Sequence, residues 1–245
     1  MPHPMLIAHR GASVTAPENT MPAFQLAAQL GADGIELDVM LSRDGKVVVM
    51  HDASVDRTTD GSGKVHEMDW EDLRRLDAGV KKDQVFKGTP IPLLSEVLAW
   101  AKDRLVVNIE LANYFTLGDQ LLPSVAELVN STHIGGQIIF SSFYPWNVKR
   151  IKELVPDAQV AVLAFEGWKG GLQRSSLFKG FSPEGIHPHV NDLSPAYLMQ
   201  EHEWGRQIRT WTVNNRQEMQ VCVDLGVDGI ITDDIPLART VAGIS

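Results

Sequence analysis

From end to end the chain repeats one order: a short unbroken apolar run, then an amphipathic stretch. The runs are Met5–His9, Gly34–Leu41, Val47–His51, Leu105–Leu111, Gln137–Phe143, Val160–Phe165, Gly185–Val190, Arg209–Val213 and Gly229–Asp234. They are continuous rather than alternating, which means strands covered on both faces and hence a parallel sheet. Between most of them lie stretches with helical periodicity, among them "MPAFQLAAQLGA", "LLSEVLAWAK", "LLPSVAELVNSTH" and "RQEMQVCVDLG". "ENTMP" supplies an N-cap residue and an early proline for the first helix. Repeated β-then-α order predicts an α/β fold, a (β/α)8 TIM barrel, with "KVVVMH" an extra or subdivided strand near the second. A chain of 245 residues is a normal size for one such barrel.

Residues 52–89 break the rhythm. They are rich in Asp, Gly, Lys and Thr around a short helical piece, "MDWEDLRRLDAG". The expectation is a small inserted segment after the second strand region, within one domain spanning 1–245. No second core, internal repeat, linker or low-complexity tract is visible in the sequence.

Charge and cysteine usage narrow the function. A net charge of −9 argues against a partner with a phosphate backbone, so no nucleic acid is expected. It leaves room for a small anionic substrate, because a few local cations or a metal can reverse the field inside one pocket. The single Cys222 excludes an intrachain disulfide and suits a reducing, cytoplasmic setting. No run approaches the roughly 20 apolar residues of a membrane span, and "MPHPMLIAHRG" lacks the regions of a signal peptide. No membrane anchor is expected, and the pattern leaves the oligomeric state open.

In such barrels the C-terminal ends of the strands converge on one mouth. His9 and Arg10 end the first run, His51 ends the extra strand and Glu110 ends "VVNIE". Glu36 and Asp38, two apart, point to the same side of the second strand. Three carboxylates packed together repel and raise one another's pKa unless a cation neutralises them. All-oxygen ligation favours Mg²⁺ or Ca²⁺ over zinc. By spacing alone, the cluster is either a metal-plus-histidine site or a structural ion network.

The segments "AHRGASVTAPENTMPAF", "GIELDVMLSRDG", "VVMHDASVDRTTDGSG", "FKGTPIPLLSEVL", "VNIEL", "RTWTVN" and "GVDGIITDDI" resemble, in order and over nearly the whole chain, the glycerophosphodiester phosphodiesterases. The resemblance implies a (β/α)8 barrel with an inserted segment. It implies an enzyme that hydrolyses small-molecule glycerophosphodiesters to sn-glycerol 3-phosphate and an alcohol with a divalent cation, Mg²⁺ or Ca²⁺. Carried over by position, it makes Glu36, Asp38 and Glu110 the metal ligands and His9 and His51 the acid–base pair. Arg10 becomes a phosphate ligand and Trp211 a substrate wall or a plain core residue. The attacking oxygen is the substrate's glycerol 2-hydroxyl or a water.

One position departs from the family. Its third-strand motif ends Glu-x-Lys, whereas "IELANYF" places Ala112 where the lysine would stand, with Asn113 a candidate replacement. That loss keeps open a barrel that binds phosphodiesters without turnover, and a lysophospholipase D-type activity is the neighbouring enzymatic alternative. His187 and His189 in "GIHPHV" are candidates for the mouth. Arg174 and Lys179 are expected in a solvated loop, and His3, His66, His133 and His202 on the surface.

Overall fold

The computed structural model describes residues 3–244. Its strands are β1 (Met5–Ala8), β2 (Gly34–Leu41), β3 (Val47–Val49), β4 (Val106–Leu111), β5 (Ile138–Ser142), β6 (Gln159–Ala164), β7 (Gly185–Pro188), β8 (Gln207–Thr210) and β9 (Gly229–Thr232). All except β3 run parallel, and the ring closes where β1 pairs with both β9 and β2. The result is the expected TIM barrel. β3 is an added strand, not a subdivided one: it pairs antiparallel with β2, Val39 opposite Val49, and stands outside the ring.

The helices are α1 (Met21–Gln29), α2 (Trp70–Leu73), α3 (Leu94–Ala101), α4 (Leu121–Thr132), α5 (Pro145–Leu154), α6 (Pro195–Glu203), α7 (Arg216–Leu225) and α8 (Ile235–Val241). Each barrel helix buries one stripe against the strands. In α4 that stripe is Leu121, Leu122, Val125, Ala126 and Val129, spaced three and four apart. The strand residues that meet these stripes are Leu6, Ala8, Ile35, Leu37, Val107 and Ile109, all fully buried. Each such Leu, Ile or Val side chain contributes roughly 1.5–3 kcal/mol. The opposite parity turns inward, and it carries Glu36, Asp38, Asn108 and Glu110.

Local capping signals are obeyed in α7 and diverted in α1. Asn215 caps α7 by accepting from the Glu218 N–H, and Gly226 ends the helix at φ +74°. Thr20 holds the N-cap position of α1, but its hydroxyl donates to the Pro17 carbonyl and leaves the helix uncapped. The tight turn before α1 takes that hydroxyl first.

Segment 52–89 folds over one side of the mouth. Val55, Val65, Leu73 and Ala78 form a second apolar cluster with Met40, Val48, Ile91 and Ala112. Val55 N–H donates to Gly63 and Val65 N–H to Ala53, which flank a bridge between Ser54 and Lys64.

Between β6 and β7 the chain makes 3-10 turns, Gly167–Gly170 and Ser176–Phe181, in place of an α-helix. Here the solvated reading of Arg174 is corrected. Its guanidinium pairs with Asp192 at 2.7 Å and also donates to the carbonyls of Phe165 and Gly167, because a connection without helical hydrogen bonds needs another fastening. Among the described residues no helix is long and apolar enough to cross a membrane.

Candidate active site

A cavity of about 120 Å³ at the C-terminal ends of the strands is lined by His9, Arg10, Glu36, His51, Glu110 and Trp211, together with Asn108 and Phe143. Asp38, 1% exposed, joins Glu36 and Glu110 in a cluster whose carboxylate oxygens lie within 4.8 Å of one another. Residues from six separate places in the sequence thus share one site.

The turn after β1 explains why "HRG" and "PENT" occur together. Arg10 takes φ +56° and Gly11 φ +83°, and a Cβ on Gly11 would lie 2.7 Å from the Ala23 backbone. A left-handed arginine costs on the order of 1–2 kcal/mol. In return its N–H points at Glu36 Oε2, 3.0 Å away. Asn19, also at φ +56°, donates from Nδ2 to Asp38 Oδ2 at 2.8 Å.

The charge balance of the cluster is unfavourable. Burial first, then the charges of Asp38 and Glu110, push the Glu36 carboxyl well above the usual range. Burial and Asp38 push Glu110 up to about 8, against a hydrogen bond from the Tyr114 hydroxyl at 2.8 Å. Arg10 is the nearby cation, with Nε 3.4 Å from Asp38 Oδ2. Burial works against its charge, but Asp38, Glu36 and Glu18 outweigh that and raise its pKa.

Each histidine is backed by a carboxylate. His9 Nδ1 lies 2.7 Å from Asp233 Oδ1, and that oxygen also accepts from Ser13 Oγ. Burial would raise Asp233, but hydrogen bonds from His9, Ser13 and Asn214 prevail and hold it low. His51 Nδ1 lies 2.6 Å from Asp52 Oδ1. Burial is likewise overcome at Asp52 by Arg57 and His51. An ionised partner at Nδ1 keeps the proton there and leaves Nε2 as the working nitrogen. His9 Nε2 is 4.0 Å from Glu36 Oε2.

The sequence profile of the Glycerophosphoryl diester phosphodiesterase family matches residues 9–237. The chain belongs to that family. As a member it is an enzyme, a phosphodiesterase. A glycerophosphodiester phosphodiesterase of Caldanaerobacter subterraneus is 36% identical over 94% of each chain. One from Bacillus altitudinis is 34% identical over 93% of this chain and 94% of its own. Among solved structures, an Oleispira antarctica phosphodiesterase in complex with the product sn-glycerol-3-phosphate superposes with a TM-score of 0.87. It is 27% identical, covering 99% of this chain and 98% of that one.

The cluster fits the hard divalent cation that this phosphodiesterase family implies. Three carboxylate oxygens converge, Glu36 and Glu110 are reluctant to ionise without a counter-charge, and Asn108 Oδ1 beside them has no hydrogen-bond partner among the described residues. Hard oxygen donors of this kind suit Mg²⁺ or Ca²⁺.

Several details differ from the sequence reading. Trp211 falls one residue past β8, its Nε1 donating to the His187 carbonyl and its ring edge-on to Phe143 at 5.5 Å. His187 itself does not reach the mouth. It is fully buried, and burial plus the Arg209 charge keep it neutral. His189 packs edge-on against Trp211. Asn113 does not replace the missing lysine: Nδ2 donates to Asp119 and Oδ1 accepts from Asn147, so its amide is committed to the loop.

Asp233, Asp52, Glu18, Arg57 and Tyr114 were missed as members of the site. Arg57 donates to Asp52 and, through both terminal nitrogens, to Glu18. Glu18 in turn accepts from Arg10 Nη1 at 3.0 Å. Glu18, Asp52, Arg57 and Asp233 lie in segments that resemble the family, but only Asp52, adjacent to His51, had a position that pointed to its partner.

Proposed function

We propose that the chain hydrolyses glycerophosphodiesters to sn-glycerol 3-phosphate and an alcohol, with Glu36, Asp38 and Glu110 holding Mg²⁺ or Ca²⁺. The observation that carries this reading is the placement of two carboxylate-backed histidines and a three-carboxylate cluster on one small cavity. When bound, the cation neutralises phosphodiester charge and stabilises the charge that develops in the transition state. Arg10, turned into the cavity by its left-handed backbone, binds a phosphate oxygen. One histidine Nε2 takes the proton of the attacking oxygen, and the other, protonated, donates to the departing alkoxide. Such transfers are typically worth ~10²–10⁴-fold each. Trp211, fixed by its Nε1 bond and by Phe143, forms the wall against the glycerol carbons.

The test is release of glycerol 3-phosphate from a panel of glycerophosphodiesters, with chelator and with each metal restored. EDTA should abolish turnover, and Mg²⁺ or Ca²⁺ should bring it back. Glu36→Ala and Asp38→Ala should weaken cation binding while the fold survives. Because the carboxyls must shed protons to bind, apparent cation affinity should rise with pH up to about 8. Full activity in a metal-free preparation overturns this reading.

A further inference from the structure

Each carboxylate of the cluster is held on one oxygen only. Glu36 accepts on Oε2 from the Arg10 N–H, and Asp38 accepts on Oδ2 from Asn19 Nδ2. Glu110 accepts on Oε1 from the Tyr114 hydroxyl. Glu36 Oε1, Asp38 Oδ1 and Glu110 Oε2 receive no hydrogen bond from the described residues. The first two donors belong to the turn after β1, inside a segment that resembles the family. Tyr114 belongs to the loop after β4, beyond "VNIEL", in no such segment.

We propose that Tyr114 is a positioning residue for Glu110, and that its hydroxyl sets the affinity of the cluster for its cation. The proposal rests on the reading of Glu36, Asp38 and Glu110 as the cation's ligands, and adds what orients the third of them. A carboxylate free to turn about its last bond presents an oxygen to the ion only part of the time. A donor on Oε1 stops that turning and leaves Oε2 for the ion.

The hydroxyl is itself aimed. The Phe143 N–H donates to the Tyr114 oxygen at 3.3 Å, so the hydroxyl's own proton is directed to Glu110. The ring packs edge-on against Phe143 at 5.9 Å and tilted against Tyr144 at 5.3 Å. The loop that carries it is fastened at Asp119, whose carboxylate accepts from Asn113 Nδ2, Thr116 Oγ1 and the Leu121 N–H. The committed amide of Asn113 thus seats the residue that follows it. Ala112 lines the same depression as Glu110 and Tyr114 but has no polar side-chain atom. Where the family has its lysine, this chain leaves the carboxylate to the hydroxyl.

The experiment titrates Mg²⁺ and Ca²⁺ by calorimetry into the chelator-treated full chain, without substrate, for the wild type, Tyr114→Phe and Tyr144→Phe. Tyr114→Phe keeps the ring and removes only the hydroxyl, so its melting temperature in EDTA should stay within a few degrees of wild type. Its cation Kd should rise about tenfold, and kcat at saturating cation should return to within about threefold of wild type. Tyr144 bonds to none of the three carboxylates, so Tyr144→Phe should keep the wild-type Kd within about twofold. An unchanged Kd in Tyr114→Phe, or an equal rise in Tyr144→Phe, overturns the proposal while the metal reading stands. So does a kcat deficit that saturating cation does not restore, or a larger fall in melting temperature, which assigns the hydroxyl to the fold. No cation binding by the wild type overturns both.

Discussion

His9 and His51 carry the same device on different supports. His9 follows a strand of the closed ring, and its carboxylate partner follows β9, the strand hydrogen-bonded to β1. His51 follows β3, outside the ring, and its partner is the next residue, held in turn by Arg57. Exposure follows support: the His9 side chain is 20% exposed and that of His51 40%. The ring fixes one histidine through backbone pairing and partly buried hydrogen bonds. The other depends on surface charge. The pair therefore separates chemistry, which should be equal on the two sides, from positioning, which should not.

The largest expected effect tests that equality. His9→Ala and His51→Ala should each lower kcat by roughly two to four orders of magnitude. KM should move much less, since neither imidazole need bind the ground state strongly. Should either variant keep more than about a tenth of wild-type kcat, that histidine is not half of an acid–base pair.

The partners come next. Asp233→Asn and Asp52→Asn keep shape but lose the anion that fixes the Nδ1 proton, and each should cost about 10–100-fold in kcat. Asp233→Asn should cost more, because one of the two oxygens that together accept from His9, Ser13 and Asn214 becomes an NH2 donor. Equal losses would mean that the extra hydrogen bonds around Asp233 add nothing to positioning.

This asymmetry marks what could be read from the sequence. The strands were legible because runs covered on both faces are unbroken and apolar. Glu36, Asp38 and Glu110 stood out because a carboxylate in such a run needs a reason. Asp233 was not legible as a partner of His9, because 224 residues separate them and only ring closure brings β9 beside β1. Glu18 and Arg57 fall within segments that resemble the family, but their roles were not legible, since their pairing depends on segment 52–89 folding over the mouth. Tyr114 lies past the strand, where no periodicity tells a site hydroxyl from a loop residue. Asn113 misled because a polar residue near the missing lysine is a substitute only if its amide is free.

The smallest effect separates the two supports by their response to salt. Arg57 joins Asp52 to Glu18 with its side chain 49% exposed, so its contribution is screened by ions, whereas Ser13 acts through a hydrogen bond of 2.9 Å beside the ring. Arg57→Ala should lower kcat about three- to tenfold at low salt, and the gap should narrow at high salt as the wild type loses the same support. Arg57→Lys should recover part of the loss only, because an ammonium cannot reproduce the two-nitrogen contact with Glu18. Ser13→Ala should cost about twofold with little salt dependence. The same variants carry an acid signature. Burial would raise Glu18, but Arg57 and Arg10 hold it at about 2. A carboxyl lowered in the folded state adds stability above its ordinary value and loses it as pH falls toward 2. Without Arg57 the folded-state value rises toward the ordinary one, so Arg57→Ala should show less additional loss of thermal stability between pH 4.5 and 2 than the wild type. If Arg57→Ala and Ser13→Ala respond alike to salt, the division between a ring-supported and a charge-supported histidine is wrong.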